Sequence, residues 1–140
     1  MYTDCYGRIS PGCVYPEATP VLYLSGSAAP PSPKHAAFVR AAQDSLPGHP
    51  GRPDGTPLTR QKNSTIAAAQ RAASCAGFVA TGPGDSCDEY PYATTRQGGA
   101  TAKVAHVPTV DNTNGGTKLS RFYRDMRVWD NDPFFVQVVD

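Results

Sequence analysis

The chain has 140 residues, enough for one domain with a core of its own. A formal net charge of +1 excludes a global basic field for nucleic acid, so any such signal must be local. With 39% apolar residues, 14 Pro and 13 Gly, short elements joined by ordered loops are expected, and no stretch is long enough to span a membrane.

Residues 1–19 read as loop, with Gly7, Pro11, Gly12 and Pro16. Met1–Cys5 has neither a basic n-region nor an apolar run, so a mature form or a domain of a longer protein is expected. Val21–Leu24 reads as a strand. Ser32-Pro33 opens a helix predicted to run to Leu46, with Phe38, Ala42 and Ser45 or Leu46 on one face. Residues 47–58 are turn-forming. Asn63-Ser64-Thr65 offers caps to an alanine-rich helix, Thr65 to Cys75, with Ile66, Ala69, Gln70 and Ala73 on one side. The Asn63 sequon is explained by that capping.

Residues 81–85 form a turn leading into Cys87-Asp88-Glu89-Tyr90-Pro91-Tyr92-Ala93, the stretch densest in chemistry. On composition alone it is an acidic surface turn, since charged pairs are usually solvated. Ala102–Val107 reads as a strand of unclear parity, ended by Pro108. Asp111–Gly116 reads as a polar loop. Leu119, Phe122, Tyr123 and Met126 then recur at helical spacing behind a Thr117 cap, with Lys118, Arg121 and Asp125 outward and Arg124 at the edge. Phe134–Val139 is the strongest strand, expected to be central or well covered.

Four cysteines without a Cys-x-x-Cys pair favour disulfides in an oxidising compartment over zinc. Of the three possible pairings, Cys5–Cys13 with Cys75–Cys87 is the natural one. The second bridge would pin the acidic stretch to the end of the alanine-rich helix. His35 and His49 are expected at the surface, and His106 on a strand face.

From the acidic pair onward the order is acid pair, turn, strand, Asn-rich loop, helix, which is the layout of a ββα-metal nuclease site. Phosphodiester hydrolysis needs a group that takes a proton from water and a cation that neutralises phosphate charge. Mg²⁺ or Mn²⁺ suits oxygen donors and keeps several waters, so few protein ligands suffice. Asp88, Asn112 and Asn114 are suitable. Lys103, Lys118, Arg121, Arg124 and Arg127 outnumber Asp111 and Asp125 locally, enough to hold a phosphate backbone, although an ordinary solvated helix face would look the same.

These residues resemble the small secreted bacterial NucA/NucB-type deoxyribonucleases. The resemblance rests on the Asp-Glu-aromatic-Pro core at Asp88–Pro91. It continues through Gln97-Gly98-Gly99, Asp111-Asn112, Gly115-Gly116, Leu119-Ser120 with Phe122-Tyr123, and Asp130 to Val136. Pro57–Arg60 and Ile66–Ala73 resemble actinobacterial-type members. It implies a single α+β domain over 1–140 with about three helices, a ββα-metal core and disulfide staples. The implied activity is metal-dependent, sequence-non-specific cleavage of DNA, RNA remaining open, by a secreted monomer that a protein inhibitor could control. Glu89 stands where larger relatives carry a histidine base. Asp88 is a second catalytic group or a metal ligand, and Asn112 a metal ligand. Tyr90 and Tyr92 are expected to pack. A glutamate base implies an absolute metal requirement and activity held down to about pH 6. Where some members carry Asp-Arg before the acid pair, this chain has Ser86-Cys87; Arg71, Arg96 and Arg124 are candidates to replace that arginine, with Arg71, Lys118, Arg121 and Arg124 as phosphate contacts. The competing readings are a non-catalytic stapled binding module and a nuclease toxin domain of a longer protein.

Overall fold

A computed structural model describes residues 17–140. The expected Cys5–Cys13 bridge, and most of the loop-like segment, lie outside the described residues. The elements are β1 (Val21–Leu24), α1 (Pro33–Ser45), β2 (Leu58–Thr59), α2 (Ser64–Ser74), β3 (Asp85–Tyr90), β4 (Lys103–Pro108), α3 (Thr109–Asp125) and β5 (Pro133–Val138). This is a small α+β domain with three helices and short strands.

Two sheets result. β5 is the middle strand of the first, parallel to β1 and antiparallel to β2. Its run of β-branched and aromatic residues suits that central place, and Phe134, Val136 and Val138 bury their alternate side chains. β3 and β4 form the second sheet, antiparallel, with Cys87 opposite His106 and Glu89 opposite Val104. β4 buries only Val107 and leaves Val104 exposed, which is why its sequence shows no clean alternation. β3, β4 and α3 follow one another as a ββα unit.

α1 packs against α3 and touches both sheets. Its buried stripe is His35, Ala36, Val39, Ala42 and Gln43; of the expected face of Phe38, Ala42 and Ser45 or Leu46, Ala42 is buried, while Phe38 and Leu46 are only packed against the core edge. The stripe is rotated because two polar residues face inward and find partners. Gln43 donates from Nε2 to the Tyr90 hydroxyl (3.0 Å) and to the Val136 carbonyl (2.9 Å). A buried polar group is tolerated when it is so paired.

α2 starts as expected: the Asn63 side chain accepts from the Thr65 and Ile66 amides at 2.9 and 3.1 Å. Gln70 reaches from α2 to the Ala93 and Thr95 carbonyls and docks the helix on the segment after β3.

The largest departure is at α3. Asp111–Gly116, expected as loop, forms the first turns of the helix, and Thr117 is interior, its hydroxyl donating to the Thr113 carbonyl. Asp, Asn, Thr and Gly are poor helix formers. Tertiary contacts override that weakness. Asp111 Oδ2 accepts from the Lys34 amide (2.7 Å) and so caps α1, whose own Ser32 makes no side-chain cap. Asn114 Nδ2 donates to the Pro31 carbonyl (2.8 Å). Gly115 lets α1 approach: a Cβ there would lie 2.3 Å from the His35 ring. At the other end Leu119, Phe122 and Tyr123 are buried as expected, but Met126 is 47% exposed, because the helix ends there and Arg127 turns the chain away with φ +54°.

Candidate active site

The acidic pair lies within β3, not in a surface turn: Asp88 is 3% and Glu89 6% exposed. Successive side chains of a strand point to opposite faces, and the partners show the split. Asp88 faces α1, where its Oδ2 lies 2.6 Å from His35 Nδ1. Glu89 faces α2, where its Oε1 accepts from Arg71 Nε at 2.9 Å.

On the Glu89 side, the Cys75–Cys87 disulfide ties the C-terminal end of α2 to β3 with a Cα–Cα separation of 6.2 Å. Closing that loop contributes about 3 kcal/mol. It also holds α2 where Arg71 can reach the carboxylate. Burial pushes the Glu89 carboxyl above the usual range. Arg71 opposes this by hydrogen bond and charge, and neighbouring Asp88 adds to it. Arg71 remains 63% exposed, so its guanidinium is open to solvent and to a ligand while it pairs with Glu89.

On the other side, His35 is 2% exposed, which overturns its expected surface position. Its ring sits 6.0 Å from that of Tyr92, near-parallel, and Tyr92 Oη approaches Nε2 at 3.5 Å. The sequence signal for its burial is its place in the stripe with Ala36, Val39 and Ala42, masked by the habit of reading a lone histidine as polar. His49 is half-buried, with Nδ1 2.9 Å from the Gln43 carbonyl. His106 lies on the exposed face of β4, 2.7 Å from Asp85 and against Phe78.

The two tyrosines of the motif pack. Tyr90 is fully buried and donates to the Pro50 carbonyl (2.8 Å), and burial pushes the Tyr90 and Tyr92 hydroxyls well up. The Tyr90–Pro91 peptide is cis.

Asn112, in the first turn of α3, donates from Nδ2 to Ser86 Oγ and to the Cys87 carbonyl, each at 3.1 Å. That anchors its amide beside the motif and leaves Oδ1 as the atom a hard cation would take. Among the described residues one trio of His, Cys, Asp or Glu ligand atoms converges: Cys75, Cys87 and Glu89, within 4.8 Å of one another. With both sulfurs spent on the disulfide, only the Glu89 carboxylate of that trio can act as a donor. The donors left at the motif, the Glu89 carboxylate and Asn112 Oδ1, are oxygens, the donor type a hard divalent cation takes while keeping most of its waters.

Of the expected phosphate contacts, Arg71 is at the motif. Lys118 is not outward-facing: its ammonium donates to the Ser25 carbonyl (2.6 Å) and Ser32 Oγ (3.0 Å), fastening α3 to the segment before α1. Arg121 and Arg124 are exposed on α3, and Arg124 pairs with Asp125 at 2.8 Å. Arg96 pairs with Asp130 at 3.3 Å. The structure brings Glu89, Arg71 and the disulfide together on one face of β3, and puts Asp88 on the other.

β3, β4 and α3 thus form a ββα unit with a buried acid on its first strand and an amide at its helix start. The family model Deoxyribonuclease NucA/NucB matches residues 48–137, well over half of the chain, and the chain belongs to that family. No curated protein matches it. The matched span runs from before β2 to the penultimate residue of β5 and includes neither β1 nor α1, so His35 reaches Asp88 from outside it.

Proposed function

We propose that this protein is a secreted, divalent-metal-dependent deoxyribonuclease that cuts without sequence preference, with Glu89 as general base. The observation that carries the reading is the buried Glu89 carboxylate beside an exposed Arg71 guanidinium, within the family's acidic signature.

Glu89 takes the proton of the attacking water. A carboxylate raised by burial is a stronger base at neutral pH than a solvated one. Arg71 keeps it oriented, and its exposed guanidinium engages a phosphate oxygen, a contact that positions the backbone but reads no base. Asn112, with its amide fixed by Ser86 and Cys87, would hold the cation through Oδ1. When bound there, Mg²⁺ or Mn²⁺ supplies charge for a nonbridging phosphate oxygen and for the leaving alkoxide. Asp88 takes the orienting role: its carboxylate is held by His35 in the interior and fixes β3 against α1.

The Cys75–Cys87 bridge supports an oxidising, extracellular setting. Incubating purified protein with plasmid and Mg²⁺ or Mn²⁺, with and without EDTA, tests the reading. Nicked and linear DNA that EDTA abolishes is expected, and RNA in a parallel reaction reports sugar preference. Intact DNA across several divalent ions would leave the domain a binding module.

A further inference from the structure

The convergence of Cys75, Cys87 and Glu89 has a second use when the bridge is open. We infer that the reduced protein carries a zinc site on these three side chains, and that this site silences the nuclease by occupying Glu89. The silencing half of the inference rests on the role given to Glu89 above; the metal site does not.

The geometry favours it. Cys75 Sγ lies 3.8 Å from Glu89 Oε2, and all three ligand atoms sit within 4.8 Å of one another. A tetrahedral Zn²⁺ with Zn–S of about 2.3 Å and Zn–O of about 2.0–2.2 Å places its ligand atoms roughly 3.5–3.8 Å apart. Side-chain rotation alone would separate the two sulfurs to that distance, since their Cα atoms are already 6.2 Å apart and anchored on α2 and β3. Both cysteines are only half-buried, so solvent can supply the fourth ligand. The Arg71 guanidinium now pairs with Glu89. Being 63% exposed, it can swing into water when zinc takes the carboxylate.

The chemistry balances with a dithiol reductant in one direction and a disulfide oxidant in the other. A cellular dithiol donates two electrons and two protons, its own sulfurs closing to a disulfide while the Cys75–Cys87 bond opens to two thiols. Zn²⁺ binding then releases the two thiol protons to solvent. Thiolates select zinc over magnesium, so the hard cation required for cleavage does not compete for the sulfurs. In a reducing compartment the chain would thus hold its general base under a soft metal. Exchange with a disulfide oxidant, whose own bond opens to two thiolates that take protons from solvent, closes the Cys75–Cys87 bond again; the zinc is left with a single carboxylate, and Glu89 is freed.

The test uses the full chain, reduced with a phosphine so that no added thiol binds metal, and Co²⁺ as a spectroscopic stand-in for zinc. Thiolate-to-cobalt charge transfer and tetrahedral ligand-field bands are expected in the reduced wild type, and neither in the oxidised protein. Both should be lost in the Cys75→Ser/Cys87→Ser variant, which retains Cys5 and Cys13 and so reports any binding by them. Glu89→Gln should keep the bands but weaken the metal at least tenfold. In the activity arm, one equivalent of Zn²⁺ should abolish DNA cleavage by the reduced wild type in excess Mg²⁺, and should change the rate of the Cys75→Ser/Cys87→Ser variant less than twofold from that variant's own zinc-free rate. Bands that persist in that variant overturn the inference. So does a reduced wild type that binds no cobalt, or whose circular dichroism shows it unfolded, or that is inactive with zinc removed by a zinc-selective chelator. An oxidised protein that cuts no DNA at all would instead sink the proposed function and leave the cobalt result standing.

Discussion

His35 Nδ1 and Asp88 Oδ2 lie 2.6 Å apart, 53 positions apart in sequence, with both side chains closed off from solvent. The pair joins α1 to β3 through the aspartate of the signature. It is a structural joint, because neither partner has water to turn to.

Removing one partner leaves the other buried and unsatisfied, which costs about 3 kcal/mol. His35→Ala is therefore expected to lower unfolding free energy by about that amount in urea denaturation. A change within 0.5 kcal/mol, roughly the size of a neutral surface substitution, would mean that the contact does not hold α1 to β3.

Glu89→Gln should separate activity from stability. Loss of the base is expected to lower the cleavage rate about 10²–10⁴-fold. Stability should move the other way. Burial raises the folded-state pKa of Glu89 above its unfolded value, so the folded state binds the proton more tightly. That contribution is present below the unfolded pKa and is lost as pH rises through the raised folded one. At pH 7 the glutamine variant is thus expected to be at least as stable as the wild type by thermal melting. An inactive variant that melts well below the wild type would mean the loss is one of folding.

Much of the frame is legible in the sequence. Val21–Leu24 and the Phe134–Val139 run announce themselves by β-branched and aromatic residues and α2 by its Asn63 cap, while Cys75–Cys87 belongs to the natural one of three pairings that the cysteine count allows. What was hidden depends on partners distant in sequence. The first turns of α3 contradict local propensity, and become helix only because Asp111, Asn112 and Asn114 reach α1, β3 and Pro31. Lys118 looked like a phosphate contact because nothing nearby in sequence reveals that Ser25 and Ser32 claim it. At the site, the residue types were readable from the signature. That Asp88 and Glu89 face different helices follows from strand alternation, once the pair is placed inside a strand and not in a turn.

Gly115 and Gly116 give a paired check on how α1 seats against α3. A methyl at Gly115 would meet the His35 ring at 2.3 Å, whereas nothing lies within 4 Å at Gly116. Alanine is the better helix former by up to about 1 kcal/mol. Gly116→Ala is expected to stabilise by roughly that amount. Gly115→Ala is expected to destabilise by about 1–3 kcal/mol, since overpacking outweighs propensity. Equal shifts in the two melting temperatures would remove the close approach of His35 from the account of this helix.

Arg71→Ala tests the guanidinium in both of its proposed roles. As a phosphate contact it contributes one released counterion, so the slope of log affinity for DNA against log salt should fall by about 1. As the partner of Glu89 it lowers a carboxyl pKa that burial has raised. Without it the carboxyl is protonated over a wider range, and the acid limb of the rate profile moves to higher pH. The variant should therefore lose more activity relative to wild type at pH 6 than at pH 8. Retained slope with a shifted acid limb would confine Arg71 to holding the base; a lower slope with an unmoved limb would confine it to the backbone. An unchanged profile on both axes would leave the arginine missing from this chain's signature without a replacement at position 71.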